Sequence, residues 1–157
     1  GLAFGPPHRA VAVSSLEALA EAVADRDLPV VPLLDARRGE FYAAVLERAA
    51  PGPAGSWRAL LEEGVYRPEE LAKLIPRDCV VVGEGGPSCG KLLSEAGGDG
   101  VLVLDSPVAP RARFVGLLAA RVLAREEGVD AALLVPRYLR RAEAEVKRTG
   151  VRFEQNR

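Results

Sequence analysis

Residues 33–47 read LLDARRGEFYAAVLE, two apolar runs around a charged centre of Asp35, Arg37, Arg38 and Glu40. PVVPLLD (29–35) and EFYAAVLE (40–47) have the apolar, β-forming composition of strands, so ARRG (36–39) joins them as a hairpin. Gly39 is free to take the positive φ that a tight turn asks for. Pro32 has no N–H to give to a ladder, which places its strand at a sheet edge or at a bulge. Asp35 and Glu40 have the chemistry of an acid–base pair. Arg37 and Arg38 lie between them and can neutralise both, so a local ionic network that fixes the hairpin is the simpler reading.

Working outward, the flanking segments alternate between strand and helix patterns. Upstream, AVAV (10–13) reads as a short strand. Ser14 and Glu17 have capping-box spacing. Leu16, Leu19, Ala20 and Val23 then follow at i, i+3, i+4 and i+7, one face of a helix closed by ADRD at 24–27. Downstream, PGPAGS (51–56) is a loop and the one weak boundary, and WRALLEEGVY (57–66) fits a strand or a short helix equally. Residues 68–75 read as a helix with Pro68 at its first position, Glu69 and Glu70 at the positive end of its dipole, and Leu71, Leu74 and Ile75 on one face.

CVVVG (79–83) and VLVLD (101–105) are buried-strand patterns, separated by a helix over 87–96 that ends at GGDG. A long helix covers about 110–127, with Phe114, Leu118 and Val122 on one stripe beside Val115 and Ala119. AALLVPRYLRR (131–141) is extended around Pro136, and a polar segment follows. The alternation predicts an α/β fold with a mixed sheet.

The chain has 157 residues, 48% hydrophobic and 27% charged, with a net charge of −1. That balance argues against a broad basic surface for nucleic acid. No run of about 18 apolar residues predicts a membrane span. Two cysteines, Cys79 and Cys89, ten positions apart, fit free thiols in a reducing compartment, and a single histidine, His8, cannot build a His-rich zinc site. No methionine occurs, and GLAFG reads as a helix tail ending at Gly5 before Pro6 and Pro7, so a fragment of a longer protein is expected.

GGPSCGK (85–91) matches a phosphate-binding loop up to its last position, with a strand before it. The final Ser or Thr is replaced by Leu92, and Pro87 removes a backbone donor where phosphate should be cradled. GEGG (83–86) could let backbone approach a ligand; a tight strand-to-helix turn explains it as well. Cys79 is expected in the core, Cys89 has only Lys91 nearby, and His8 has no catalytic partner. In YLRRAEAE (138–145), Arg140–Glu143 and Arg141–Glu145 would self-pair on a helix; the sharper reading is a strip that docks a partner or RNA.

GLAFG, VAVSSLEALA, LLDARRGEFYAAVLE, VVVGEGG and VPRYLRRAEAE, in that order, resemble the TsaB (YeaZ) family. These are bacterial glycoprotease-like proteins of tRNA threonylcarbamoyladenosine synthesis. DARRGE followed by an aromatic, and P-x-YLRR-x-EAE, are the specific parts. The resemblance implies the actin-like, sugar-kinase and Hsp70 ATPase (ASKHA) fold of two α/β lobes. Residues 1–28 would end the first lobe, 29–145 form a shortened second lobe, and 146–157 a polar tail.

The resemblance further implies a cytoplasmic, non-catalytic partner of the catalytic subunit TsaD and the ATPase TsaE. Their assembly modifies adenosine in tRNAs that read ANN codons. No cofactor or metal is implied, tRNA contact would be weak or indirect, and a homodimer would form through first-lobe helices. The signature positions Asp35, Arg37, Arg38, Gly39, Glu40, Tyr138, Arg140, Arg141 and Glu143 would have a structural or partner role. Gly83, Gly85 and Gly86 fall where the wider superfamily contacts adenosine. The alternatives are a small nucleotide-binding enzyme using GGPSCGK and, least supported by the residues, a peptidase.

Overall fold

A computed structural model describes residues 8–49, 56–104 and 110–140. GLAFG, most of PGPAGS, Asp105, Arg141, Glu143 and the polar tail lie outside them.

The hairpin forms where the sequence places it. Strand β2 (Val30–Asp35) pairs antiparallel with β3 (Phe41–Arg48), with Asp35 opposite Phe41. Residues 57–66, open to either reading in sequence, form β4 (Trp57–Tyr66), antiparallel to β3. β5 (Cys79–Val82) and β6 (Val101–Val103) add in parallel, giving the order β4-β3-β2-β5-β6. This is the expected mixed α/β sheet.

Pro32 is a correction. Its strand is central, with Pro32 opposite Val82 of β5. Pairing with β3 lapses between Val30↔Leu46 and Leu33↔Ala43 without a change of register. The missing N–H interrupts the ladder locally rather than excluding the strand from the interior.

The period of two sends alternate side chains to opposite faces. Val31, Leu33, Cys79 and Val81 join one core cluster with Leu71, Cys89 and Leu93. Val30, Val80 and Val82 join the other with Leu16, Leu19, Ala20 and Val23. The first face is covered by α2 (Pro68–Leu71) and α3 (Gly86–Gly97), the second by α1 (Ser15–Ala20). Leu19, Leu33 and Leu93 are fully buried, each worth about 1.5–3 kcal/mol of apolar transfer. Register shifts on both sides of Val45 bulge β4. As a result Trp57 and Ala59 reach the α1 face, and Leu61 the opposite one.

Ser14 caps α1, accepting from Leu16 N at 3.1 Å and Glu17 N at 3.4 Å. Helix α4 (Ala112–Ala124) packs against α1. Leu118 is its buried residue, and Val115, expected on the inner stripe, is exposed.

Other boundaries shift. Of the strand predicted over 10–13 only Ala10 pairs, within β1 (Arg9–Ala10), antiparallel with β7 (Val129–Asp130). The helix predicted over 68–75 is α-helical only over Pro68–Leu71, and hydrogen-bonded turns carry it on to Ile75, whose N donates to the Leu71 carbonyl at 3.1 Å. Among the described residues β6 is an edge strand, with Val101 buried as expected but Leu102 exposed.

Candidate functional site

The two most specific sequence segments meet in space. At the hairpin tip, Arg37 N donates to Asp35 Oδ1 at 2.7 Å, and Glu40 N donates to the Arg37 carbonyl at 3.1 Å. Arg37, Arg38 and Gly39 all have positive φ, at 66°, 59° and 73°, so the left-handed turn extends beyond the expected glycine.

The expected local network of Asp35, Arg37, Arg38 and Glu40 divides in two. Asp35 and Arg37 face solvent, with a 3.7 Å contact between their side chains. Glu40 points inward and is buried. Its main partner is Arg140, whose Nη2 donates to Glu40 Oε2 while Nη1 donates to the Ala36 carbonyl at 2.7 Å. Arg67 Nε stands 4.0 Å from the other oxygen of Glu40. Arg140 therefore ties this segment to the hairpin; its expected partner Glu143 lies outside the described residues. Tyr138, two residues earlier, is exposed.

Beside this junction lies a groove of about 750 Å³. Residues 134–140 form one wall, in no helix or strand up to a bend at Leu139 and a bridge at Arg140, and residues 12–17, Leu34, Tyr42 and Glu63 form the rest; Ala131–Leu133, expected to be extended, make a 3-10 turn instead. Glu63 accepts from Ser14 Oγ and from Arg137 Nη1 at 3.2 Å. Burial, then the carboxylate of Glu63, pushes the Glu17 carboxyl above its usual range, with Arg137 partly offsetting them.

A second buried charge cluster escaped the sequence reading. Glu21 accepts from Arg121 Nη2 at 2.8 Å, Trp57 Nε1 at 3.0 Å and Arg48 Nη2 at 3.2 Å. Arg48 also stacks 4.4 Å over the Trp57 ring. The one available signal was a lone tryptophan in a charged strand, too little to name its partners.

The glycine motifs resolve as structure. Gly83 has a φ of 116°, and a Cβ there would sit 2.2 Å from the Leu33 carbonyl oxygen. Gly85 N donates to that same oxygen at 3.4 Å. GEGG is thus a tight strand-to-helix turn that lets two backbone segments touch. Gly86 through Lys91 already lie in α3, so GGPSCGK offers no loop to wrap a phosphate. Lys91 projects into solvent, 3.9 Å from Glu95.

Cys79 and Cys89 are buried, and burial pushes both thiols up to about 11. They are protonated at neutral pH and are not nucleophiles there. Among the described residues no three His, Cys, Asp or Glu side chains cluster to hold a metal, and no helix is long and apolar enough to cross a membrane.

No family model matches the chain. No curated protein matches it either. Solved structures do. YeaZ from Pseudomonas aeruginosa is 28% identical with a TM-score of 0.63, matching 82% of this chain to 59% of its own. The chain is YeaZ-like. A second structure, an uncharacterized protein with similarity to peptidase YEAZ from the same organism, is 27% identical with a TM-score of 0.65, over 84% of this chain and 59% of that one. The chain thus spans 59% of the length of each of these YeaZ structures. The TsaB (YeaZ) resemblance, carried in sequence by DARRGE and YLRR, now has structural support, and within the YeaZ-like chain those two segments form one junction.

Proposed function

We propose that this YeaZ-like chain serves as a non-catalytic partner in bacterial tRNA threonylcarbamoyladenosine formation, stabilising a TsaD homologue and working with a TsaE-type ATPase. The observation that carries this reading is the likeness to YeaZ over 82% of the chain. The site chemistry is consistent with it. The conspicuous charges are used internally: Glu40 with Arg140, Glu63 with Arg137, and Glu21 with Arg48, Trp57 and Arg121. The one hydroxyl in these sets, Ser14 Oγ on Glu63, is engaged in capping α1, where it accepts from Leu16 N and Glu17 N. The five-stranded mixed sheet accords with one lobe of the ASKHA architecture, which forms part of the same proposal, as do a cytoplasmic setting and weak or indirect tRNA contact.

The nucleotide-binding alternative loses its physical basis with the helical GGPSCGK segment, and a peptidase reading finds no reactive thiol in Cys79 or Cys89. The test is genetic and biochemical. The protein should co-purify with the TsaD homologue, and its depletion should remove the modified nucleoside from ANN-decoding tRNAs. Undiminished modification after clean deletion sinks the proposal. Calorimetric ATP binding lost in Lys91→Ala would revive the alternative.

A further inference from the structure

We propose that residues 134–140 form a hinged strap over the groove, and that the Glu40–Arg140 pair is its latch. This rests on the described geometry and is independent of the functional reading above.

Residues 132–138 are seven consecutive exposed positions, and 134–138 belong to no helix or strand. A segment with so few buried contacts separates from its neighbours at low free energy. Its near end is fixed. Ala131 N donates to the His8 carbonyl at 3.1 Å beside the β1–β7 pair, and Asp130 Oδ1 accepts from Ala132 N at 2.8 Å. Pro136 locks its own φ and holds Val135 extended, so the strap moves as a stiff piece rather than crumpling.

Beside a backbone bridge at Arg140, two arginine side chains hold it down, and they are unequal. Arg137 meets Glu63 at one point, 3.2 Å, with its own side chain 53% exposed and that of Glu63 14%. A one-point pair on a half-exposed arginine is the weaker of the two. Arg140 forks onto two acceptors, Glu40 and the Ala36 carbonyl, with its side chain 24% exposed and that of Glu40 8%. Charge-assisted, two-point contacts of this kind are the strong ones. Release of Arg140 is therefore the step that governs opening. An open strap bares Ser14, Glu17, Tyr42 and Glu63 without disturbing the sheet, because the strap contributes no residue to either core cluster.

The test measures strap position in the full chain. Nitroxide labels go on Arg26→Cys, exposed beyond α1, and on Val135→Cys, 78% exposed on the strap. Cys79 and Cys89 are buried and stay unlabelled in the native protein. Pulsed EPR should give one narrow distance for the parent. Arg140→Gln should add a longer distance, raising the open population about tenfold, and Arg137→Gln only about twofold. Arg140→Lys, which keeps the charge but not the fork, should fall between and serves if Arg140→Gln does not fold. Trp57 emission and circular dichroism confirm that the sheet is intact. A parent already as broad as the variants, an unchanged distribution in both Arg140 variants, or equal effects at Arg137 and Arg140 overturns the proposal.

Discussion

Glu40 and Arg140, 100 residues apart in the chain, form a hydrogen-bonded ion pair in which the glutamate side chain is 8% exposed. A buried charge stripped of its partner destabilises far more than a solvated pair does. Arg140→Ala should therefore lower stability by about 3 kcal/mol. Asp35→Ala, whose ion pair lies in solvent, should cost under about 1 kcal/mol. Urea denaturation of the two variants checks the order. Equal losses would restore the single network around the turn that the sequence alone suggests.

Gly83 and Gly98 both have positive φ, but only Gly83 is hemmed in by backbone, at Leu33. Gly83→Ala combines left-handed strain with a clash that no rotamer relieves, for a cost of about 3 kcal/mol. Gly98→Ala has open space and should lose about 1 kcal/mol. Thermal melts of the two variants would show the difference as separated midpoints.

Glu21 is the shared acceptor for two arginines and the chain's single tryptophan. Glu21→Ala should cost about 1–3 kcal/mol, since it removes the acceptor those donors share. It should also shift Trp57 emission by removing the indole's acceptor. Glu21→Gln can still accept from Trp57, so it should preserve the emission while losing stability.

Glu17 presents the opposite sign. Its carboxyl is raised above the usual 4.5 by burial first and by Glu63 next. A raised folded pKa contributes stability at acid pH that is lost as pH climbs through the folded value. Above the ordinary carboxylate range the raised value is a cost, so Glu17→Gln should raise the melting temperature at pH 7. The advantage should vanish below about pH 4, where both residues are neutral. A melting temperature lowered at pH 7 would show that the charge supports the helix N-terminus more than burial penalises it.

Much of the fold was legible because it rests on local rules. The cap at Ser14, the Leu16–Leu19–Ala20–Val23 face and the β2–β3 turn all depend on residues within one turn or hairpin of each other. What the sequence hid was which elements become neighbours. Pro32 looked like an edge residue because its missing N–H is a local fact, whereas its place between β3 and β5 is set by packing on both faces. VLVLD looked buried because composition does not say where a sheet stops. At the site, Glu40 and Arg140 were both singled out, yet each was assigned partners a few residues away. Glu21 was invisible because a glutamate near the end of a helix ordinarily faces water.

The hairpin tip offers an unusual experimental opening. Arg37 holds a φ of 66°, a conformation that favours glycine or asparagine over arginine. Its side chain is 87% exposed, and its backbone N–H reaches Asp35 whatever side chain it carries. Arg37→Asn should therefore fold at least as well as the parent. Most charge deletions confuse a lost contact with a damaged scaffold. At this position the two separate, so any fall in the co-purification proposed above measures recognition alone.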